Sequence, residues 1–287
     1  MKALAYYNGQ ISDIDELVVP FNDRSHFFGD GVYDATIASH HHVYLLNEHL
    51  ERFFNSMALV DINPNFTKEW LKELLIDLTQ RLDTGEKFVY FQVSRGTAPR
   101  KHTYDSSITP NLLIYLEPLL LEVEQILLTP IDVQIEPDVR FELCHIKTLN
   151  LLPNVLSSQR ASLKGYEETI YHRNERVTEC AHSNVHIIQN GVLKTAPTDH
   201  WILPGIARHH LLLACQKLEI AYEEVAFTLD ELFNADEVII TSSSNLCTQV
   251  KTIDGIPVGA RATDLLKELQ SAVYQEYIAA INSGKNA

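Results

Sequence analysis

Lys147, in the run HIKTLNLLPNVL (145–156), is the residue with the widest chemical reach in this chain. It ends the alternation V-R-F-E-L-C-H-I-K, in which Val139, Phe141 and Leu143 share one parity. A strand continued through that run carries His145 and Lys147 onto the same face as those three side chains. Lysine is rarely buried without a partner. Two readings therefore stand: the strand frays near His145 and the ammonium reaches water, or the amine is held inward for chemistry. A free lysine, with a pKa of ~10.4, is protonated at neutral pH, whereas burial and neighbouring positive charge expose the lone pair. Such an amine condenses with a carbonyl to give a Schiff base.

The carbonyl belongs either to a substrate or to pyridoxal 5'-phosphate (PLP), which also requires a carboxylate facing its ring nitrogen and a cup for its phosphate. Glu179, in RVTECAHSN, ends a hairpin strand and offers the carboxylate, although an acid at a strand end is commonly solvated. In WILPGIARHH, Gly205 and Ile206 stand where a helix begins, and the free N–H groups and dipole there suit an anion. TSSSN (241–245) adds hydroxyls after the strand DEVII, and Arg52 adds positive charge. A second basic group, RGTAPRKH (95–102), follows the strand FVYFQVS. If that stretch is extended, Arg100 and His102 point the same way and form a fork for a carboxylate; otherwise it is a solvated loop.

Around these residues the chain alternates strands and helices irregularly. NGQ (8–10) predicts a hairpin turn, DGVYDATIAS a strand, and NEHLERFFNSMALV a helix capped by Asn47. TKEWLKELLIDLTQRL predicts a helix capped by Thr67, and KFVYFQVSR and NLLIYLEP predict strands. The His40-His41-His42 run, between two strand-like stretches, reads as a polar turn in preference to a metal site. After Pro118, LLLEVEQILLTP is either the crossing to a second domain, with a boundary near residue 120, or a short helix within one continuous domain. Strands over 128–136 and 139–147 then precede a helix, NVLSSQRASLKG, that stops at Gly165. Hairpins around Asn174 and at Asn190-Gly191, a helix from Ile206 to Leu218, the strand DEVIITSS and a helix over 264–282 follow. The expected class is α+β in two domains, 1–120 and 121–287, without the regular alternation of a doubly wound sheet.

Composition narrows the partners. The chain has 287 residues, 38 acidic against 23 basic, and a formal charge of -15. That balance opposes nucleic acid or an anionic membrane as a general partner, yet allows an anionic ligand where a few basic groups converge. The start MKALAYYNGQ has no long apolar run, and the four cysteines lie far apart without a CxxC pair. A cytoplasmic protein without a structural metal is the expectation.

In their order, YFQVSRGTAPRKH, IKTLNLLPNVL, YHRNERVTE with SNV after it, ILPGIAR and VIITSSSN resemble the D-amino acid aminotransferases. These are fold-type IV PLP enzymes, a class that includes branched-chain aminotransferases and aminodeoxychorismate lyase. The likeness extends from DRSHFFGDGVYD (23–34) through residue 250, and the RxH pair is its narrower mark of the D-amino acid branch. The resemblance implies a small N-terminal α/β domain and a larger C-terminal domain built on a β pseudobarrel. It implies that Lys147 holds PLP as a Schiff base and that Glu179 pairs with the ring nitrogen. Arg52, Ile206, Ala207, Ser242 and Ser243 would surround the phosphate, and Tyr33, Arg100 and His102 would bind the substrate carboxylate. Relatives are usually homodimers whose RxH loop can reach the neighbouring subunit. The expected reaction passes an amino group from a D-amino acid such as D-alanine or D-glutamate to a 2-oxo acid such as 2-oxoglutarate or pyruvate. Lysis of 4-amino-4-deoxychorismate and branched-chain transamination are the alternatives. Four departures from the pattern concern cofactor affinity and substrate range: Asp34 in place of Glu, Cys180-Ala181-His182 in place of a serine-rich run, Ala207 in place of Thr, and Phe141 in place of Trp.

Overall fold

The computed structural model describes residues 3–82, 85–120 and 123–282. They gather into two compact units: Met1–Leu121 with Ile146–Asn150 and Ile278–Ala287, and Glu122–His145 with Leu151–Tyr277. The domain boundary expected at 120/121 abuts residues 121–122, which lie outside the described residues. The segment Ile146–Asn150, expected within the C-terminal part, groups with the first unit.

The first unit is built on a six-stranded antiparallel sheet in the order β2-β1-β6-β5-β3-β4. Its elements are β1 (Leu4–Tyr7), β2 (Gln10–Asp13), α1 (Arg24–Phe28), β3 (Gly31–Ser39), β4 (His42–Val43), α2 (Leu46–Leu59), α3 (Lys68–Arg81), β5 (Glu86–Ser94) and β6 (Asn111–Pro118). A period of two divides the sheet. Val89, Phe91 and Val93 of β5 pack with Leu50, Phe53 and Leu75 of the helices, while Phe88, Tyr90 and Gln92 take the opposite face. Thr67 caps α3 by accepting from the Trp70 N–H at 3.1 Å. Asn47 does not cap α2. That helix starts earlier, after Leu45 in the left-handed conformation, which draws Leu46 into the core in place of a side-chain cap. His40 lies in the β3–β4 turn, and β3 pairs with β4 through Ser39 and His42.

The second unit holds a nine-stranded mixed sheet, ordered β12-β11-β10-β13-β14-β7-β8-β9 with β15 on β14. Its elements are α4 (Val123–Leu128), β7 (Ile131–Pro137), α5 (Leu152–Lys164), β8 (Glu168–Arg173), β9 (Arg176–Cys180), β10 (Asn184–Gln189), β11 (Val192–Thr195), α6 (Ile206–Lys217), β12 (Tyr222–Glu224), α7 (Leu229–Asn234), β13 (Glu237–Thr241), β14 (Thr248–Ile253), β15 (Ile256–Pro257) and α8 (Thr263–Asn282). The Asn190-Gly191 turn has both residues at positive φ, 53° and 77°, which matches the twist of the flanking strands. Gly165 ends α5 at φ 82°.

The strand expected over 139–147 does not form. Asp138 bends the chain by accepting the Arg140 N–H on its carboxylate at 3.1 Å, and the apolar side chains that suggested a buried face are exposed, Val139 at 73% and Phe141 at 46%. Alternation in sequence makes a strand only where a neighbouring strand receives its hydrogen bonds. Among the described residues no helix is long and apolar enough to cross a membrane.

Candidate active site

Lys147 belongs to a short segment laid against the start of β3. The Tyr33 N–H donates to the Lys147 carbonyl at 2.9 Å, the Leu149 N–H donates to Gly31 O at 3.0 Å, and Val32 bridges Thr148. This approach requires glycine at position 31, because a Cβ there would meet Val93 O at 2.4 Å and the Leu149 side chain at 2.8 Å. Ile146 anchors the segment in the core. The segment is therefore held by this docking, without the strand its sequence suggested, and Lys147 is half-buried. Its Nζ stands 4.4 Å from the centre of the Tyr33 ring, and the Lys147 N–H reaches Ser56 Oγ at 3.4 Å. Tyr33 stacks on Tyr90, and Tyr90 on Tyr115, with centroids 5.4 and 5.1 Å apart.

Arg52 lies on α2 and is gripped by Asp34 of β3. Its Nε donates to Asp34 Oδ2 at 2.9 Å and its Nη2 to Oδ1 at 2.8 Å, while His49 Nδ1 lies 2.8 Å from Oδ1. Burial alone would push the Asp34 carboxyl up, yet Arg52 and His49 hold it well below the usual carboxylate range. Burial pushes His49 down, against the pull of Asp34, and the charges of Arg52 and Lys147 add to that fall. The Asp34 noted as a departure thus fixes the direction of the Arg52 guanidinium.

Arg100 and His102 are exposed and lie on a loop. Both rest on one ring: the Arg100 guanidinium is 5.3 Å from the Phe28 centroid, and the His102 ring is 5.2 Å away. Both therefore meet at Phe28, on a stretch that is not a strand.

In the second unit, Glu179 is the buried end of β9, 4% exposed. Arg140 Nη1 donates to its Oε1 at 2.5 Å, and Oε2 accepts from Asn184 Nδ2 at 3.1 Å and from the Leu203 N–H at 2.9 Å. Burial pushes the Glu179 carboxyl up to about 7 against the opposing pull of Arg140, and Asp138 adds to the rise. Asp138 competes for the same arginine, accepting from its Nε at 3.0 Å and its Nη2 at 2.9 Å.

Ile206 and Ala207 open α6, whose first turn has no side-chain cap. The first N–H groups of such a helix have no acceptor within the helix and favour an anion. Asn184 reaches this turn as well, donating to Leu203 O at 3.0 Å, and its Oδ1 sits 1.9 Å from where a Cβ on Gly205 would lie. Ser242 and Ser243 follow β13, and Ser242 Oγ accepts the Asn245 N–H at 3.1 Å in a tight turn.

Sequence reasoning missed Arg140, Asp138 and Asn184. Asp138 lay between two expected strands and Arg140 inside the second, and Asn184 was marked only as part of SNV after Glu179.

The family model for amino-transferase class IV matches residues 31–253. The chain belongs to this family. A D-alanine aminotransferase of Bacillus licheniformis is 38% identical over 278 residues, covering 95% of this chain and 96% of that one. Among solved structures, a branched-chain amino acid aminotransferase from Escherichia coli superposes with a TM-score of 0.86 at 22% identity, covering 96% of this chain and 95% of its own. A T.th. branched-chain amino acid aminotransferase complexed with N-(5'-phosphopyridoxyl)-L-glutamate gives a TM-score of 0.85 at 19% identity, covering 97% and 94%. The chain is thus an aminotransferase with the α+β fold of the fold-type IV enzymes, and enzymes of its class depend on PLP.

Proposed function

We propose that the chain uses PLP to transfer the amino group of a D-amino acid, D-alanine foremost, to a 2-oxo acid such as 2-oxoglutarate or pyruvate. The observation that carries this reading is the 38% identity to a D-alanine aminotransferase over 95% of the chain. The shared seat of Arg100 and His102 on Phe28 supports it. The residues fit the cofactor. Three donors reach the Glu179 carboxylate, and a carboxylate accepts at about four positions, so one remains for a ring N–H. Lys147 would hold the cofactor through its aldehyde group, with loss of water, and Glu179 would face its ring nitrogen. Arg52, the N–H groups of Ile206 and Ala207, and the turn of Ser242 and Ser243 would hold its phosphate.

When bound, PLP supplies the electron sink that makes the substrate's Cα proton acidic. The chain's own groups do the rest. Tyr33, Arg100 and His102 bind the substrate carboxylate and so fix which face of Cα meets the lysine. Lys147 Nζ removes the Cα proton as general base. Phe141, Leu143, Leu152, Val155 and Leu156 are exposed large apolar side chains that a homodimer would cover. Assay of D-alanine against L-leucine, each with 2-oxoglutarate, tests the reading: turnover of D-alanine is expected, and preference for L-leucine would make the enzyme a branched-chain aminotransferase. Pyruvate released from aminodeoxychorismate without an amino acceptor would make it a lyase.

A further inference from the structure

Arg24 is a buried arginine, 3% exposed, that neither the cofactor nor the substrate reading uses. It opens α1, a one-turn helix capped by Asp23 and closed by Gly29 in the left-handed conformation. Its Nε donates to Asp30 Oδ2 at 2.7 Å, its Nη1 to the Lys101 carbonyl at 2.6 Å and its Nη2 to the His102 carbonyl at 3.4 Å. Its guanidinium also lies 4.9 Å from the centre of the Phe28 ring, the ring on which Arg100 and His102 rest. A second buried arginine, Arg95, takes both oxygens of Asp30 at 2.9 and 3.0 Å and ties its own Nη groups to the Asp61 and Val60 carbonyls. Asp30 is thus a shared anchor, and Arg24 carries that anchorage to the backbone of residues 101 and 102.

We infer that Arg24, braced by Asp30 and Phe28, is a positioning residue that sets the Arg100–His102 fork for the substrate carboxylate; this rests on the carboxylate role proposed above. The base of the loop is fixed separately. The Arg24 N–H donates to Gly96 O at 3.0 Å, the Ala98 N–H to Asn22 O at 3.1 Å, and Asp23 bridges Thr97. These backbone contacts survive loss of the Arg24 side chain, so its removal frees the tip of the loop while leaving its base. A loop tip with exposed side chains pays conformational entropy to form a two-pronged carboxylate site, and the two Nη donors, with Nε anchored on Asp30, remove that cost in advance. Lysine, with one compact charge, cannot span Asp30 and two carbonyls in the same plane.

The test is a double-mutant cycle on the PLP-loaded enzyme with D-alanine, alongside PLP affinity of the apoprotein measured by absorbance. Arg24→Met is expected to raise KM for D-alanine about tenfold, with kcat changed less than about threefold and PLP affinity held within about twofold. Arg100→Met raises KM at least as much, and in that background Arg24→Met adds less than about twofold, because both changes remove one interaction. Arg24→Lys recovers little. If Arg24→Met does not fold, Phe28→Leu takes its place in the same cycle with the same expected pattern. A KM unchanged by Arg24→Met while Arg100→Met raises it, or effects that multiply, would overturn the positioning role alone. A KM unmoved by Arg100→Met would overturn the carboxylate role, and the positioning role with it.

Discussion

Asp34 and Glu179 are both buried carboxylates bound to an arginine, yet they end in opposite protonation regimes. Asp34 accepts two hydrogen bonds from Arg52 and lies against His49 besides, and it stays well below the usual range. Glu179 receives one Nη of Arg140, whose other donors go to Asp138, and it titrates at about 7. Burial is the same in kind for each; the share of the cation differs. One carboxylate is a fixed anion that aims a guanidinium, and the other is poised to exchange a proton with whatever faces it.

The comparison breaks most visibly at Asp34. Asp34→Asn removes the negative charge facing Arg52 and alters the His49 contact, and is expected to cost about 3 kcal/mol of apoprotein stability in urea unfolding. A loss below about 1 kcal/mol would mean that the anion is not what balances this cluster. Glu179 gives a sharper, pH-dependent signature. Its pKa is raised on folding, from 4.5 to about 7, so over that interval the native chain binds more protons than the unfolded one. Stability therefore declines as pH rises from 4.5 through about 7. In Glu179→Gln that segment of decline is expected to vanish from the thermal-melting profile. Asp138→Asn frees Arg140 for Glu179 and removes a neighbouring negative charge, and carboxyl NMR should then find Glu179 titrating below 7. His186 gives the complementary signature on the acid side, buried and held down to about 3 by burial and Arg208. Its neutral form makes the protein lose stability as pH falls from about 6.5 towards 3, a loss that His186→Phe should remove.

Local signals were legible where one or two residues dictate the backbone. Asn190-Gly191 set its hairpin, Gly165 ended its helix, and Thr67 capped α3. Leu45 and the 139–147 segment were not legible, because the pull of a distant core and the Asp138–Arg140 contact decided them. At Lys147 the strand suggested by the sequence is replaced by a segment docked on β3. The roles proposed for Glu179, Arg52 and the start of α6 rest on residue order and on the family resemblance. Arg140, Asn184 and Arg24 were not legible, since a long polar side chain in a loop reveals its target only once the target is folded beside it.

The central claim is the covalent tether at Lys147. Borohydride reduction of the PLP-loaded protein, followed by peptide mapping, should find the pyridoxyl label on the peptide containing Lys147 and nowhere else. A label on another lysine, or a cofactor that washes away after reduction, would contradict it.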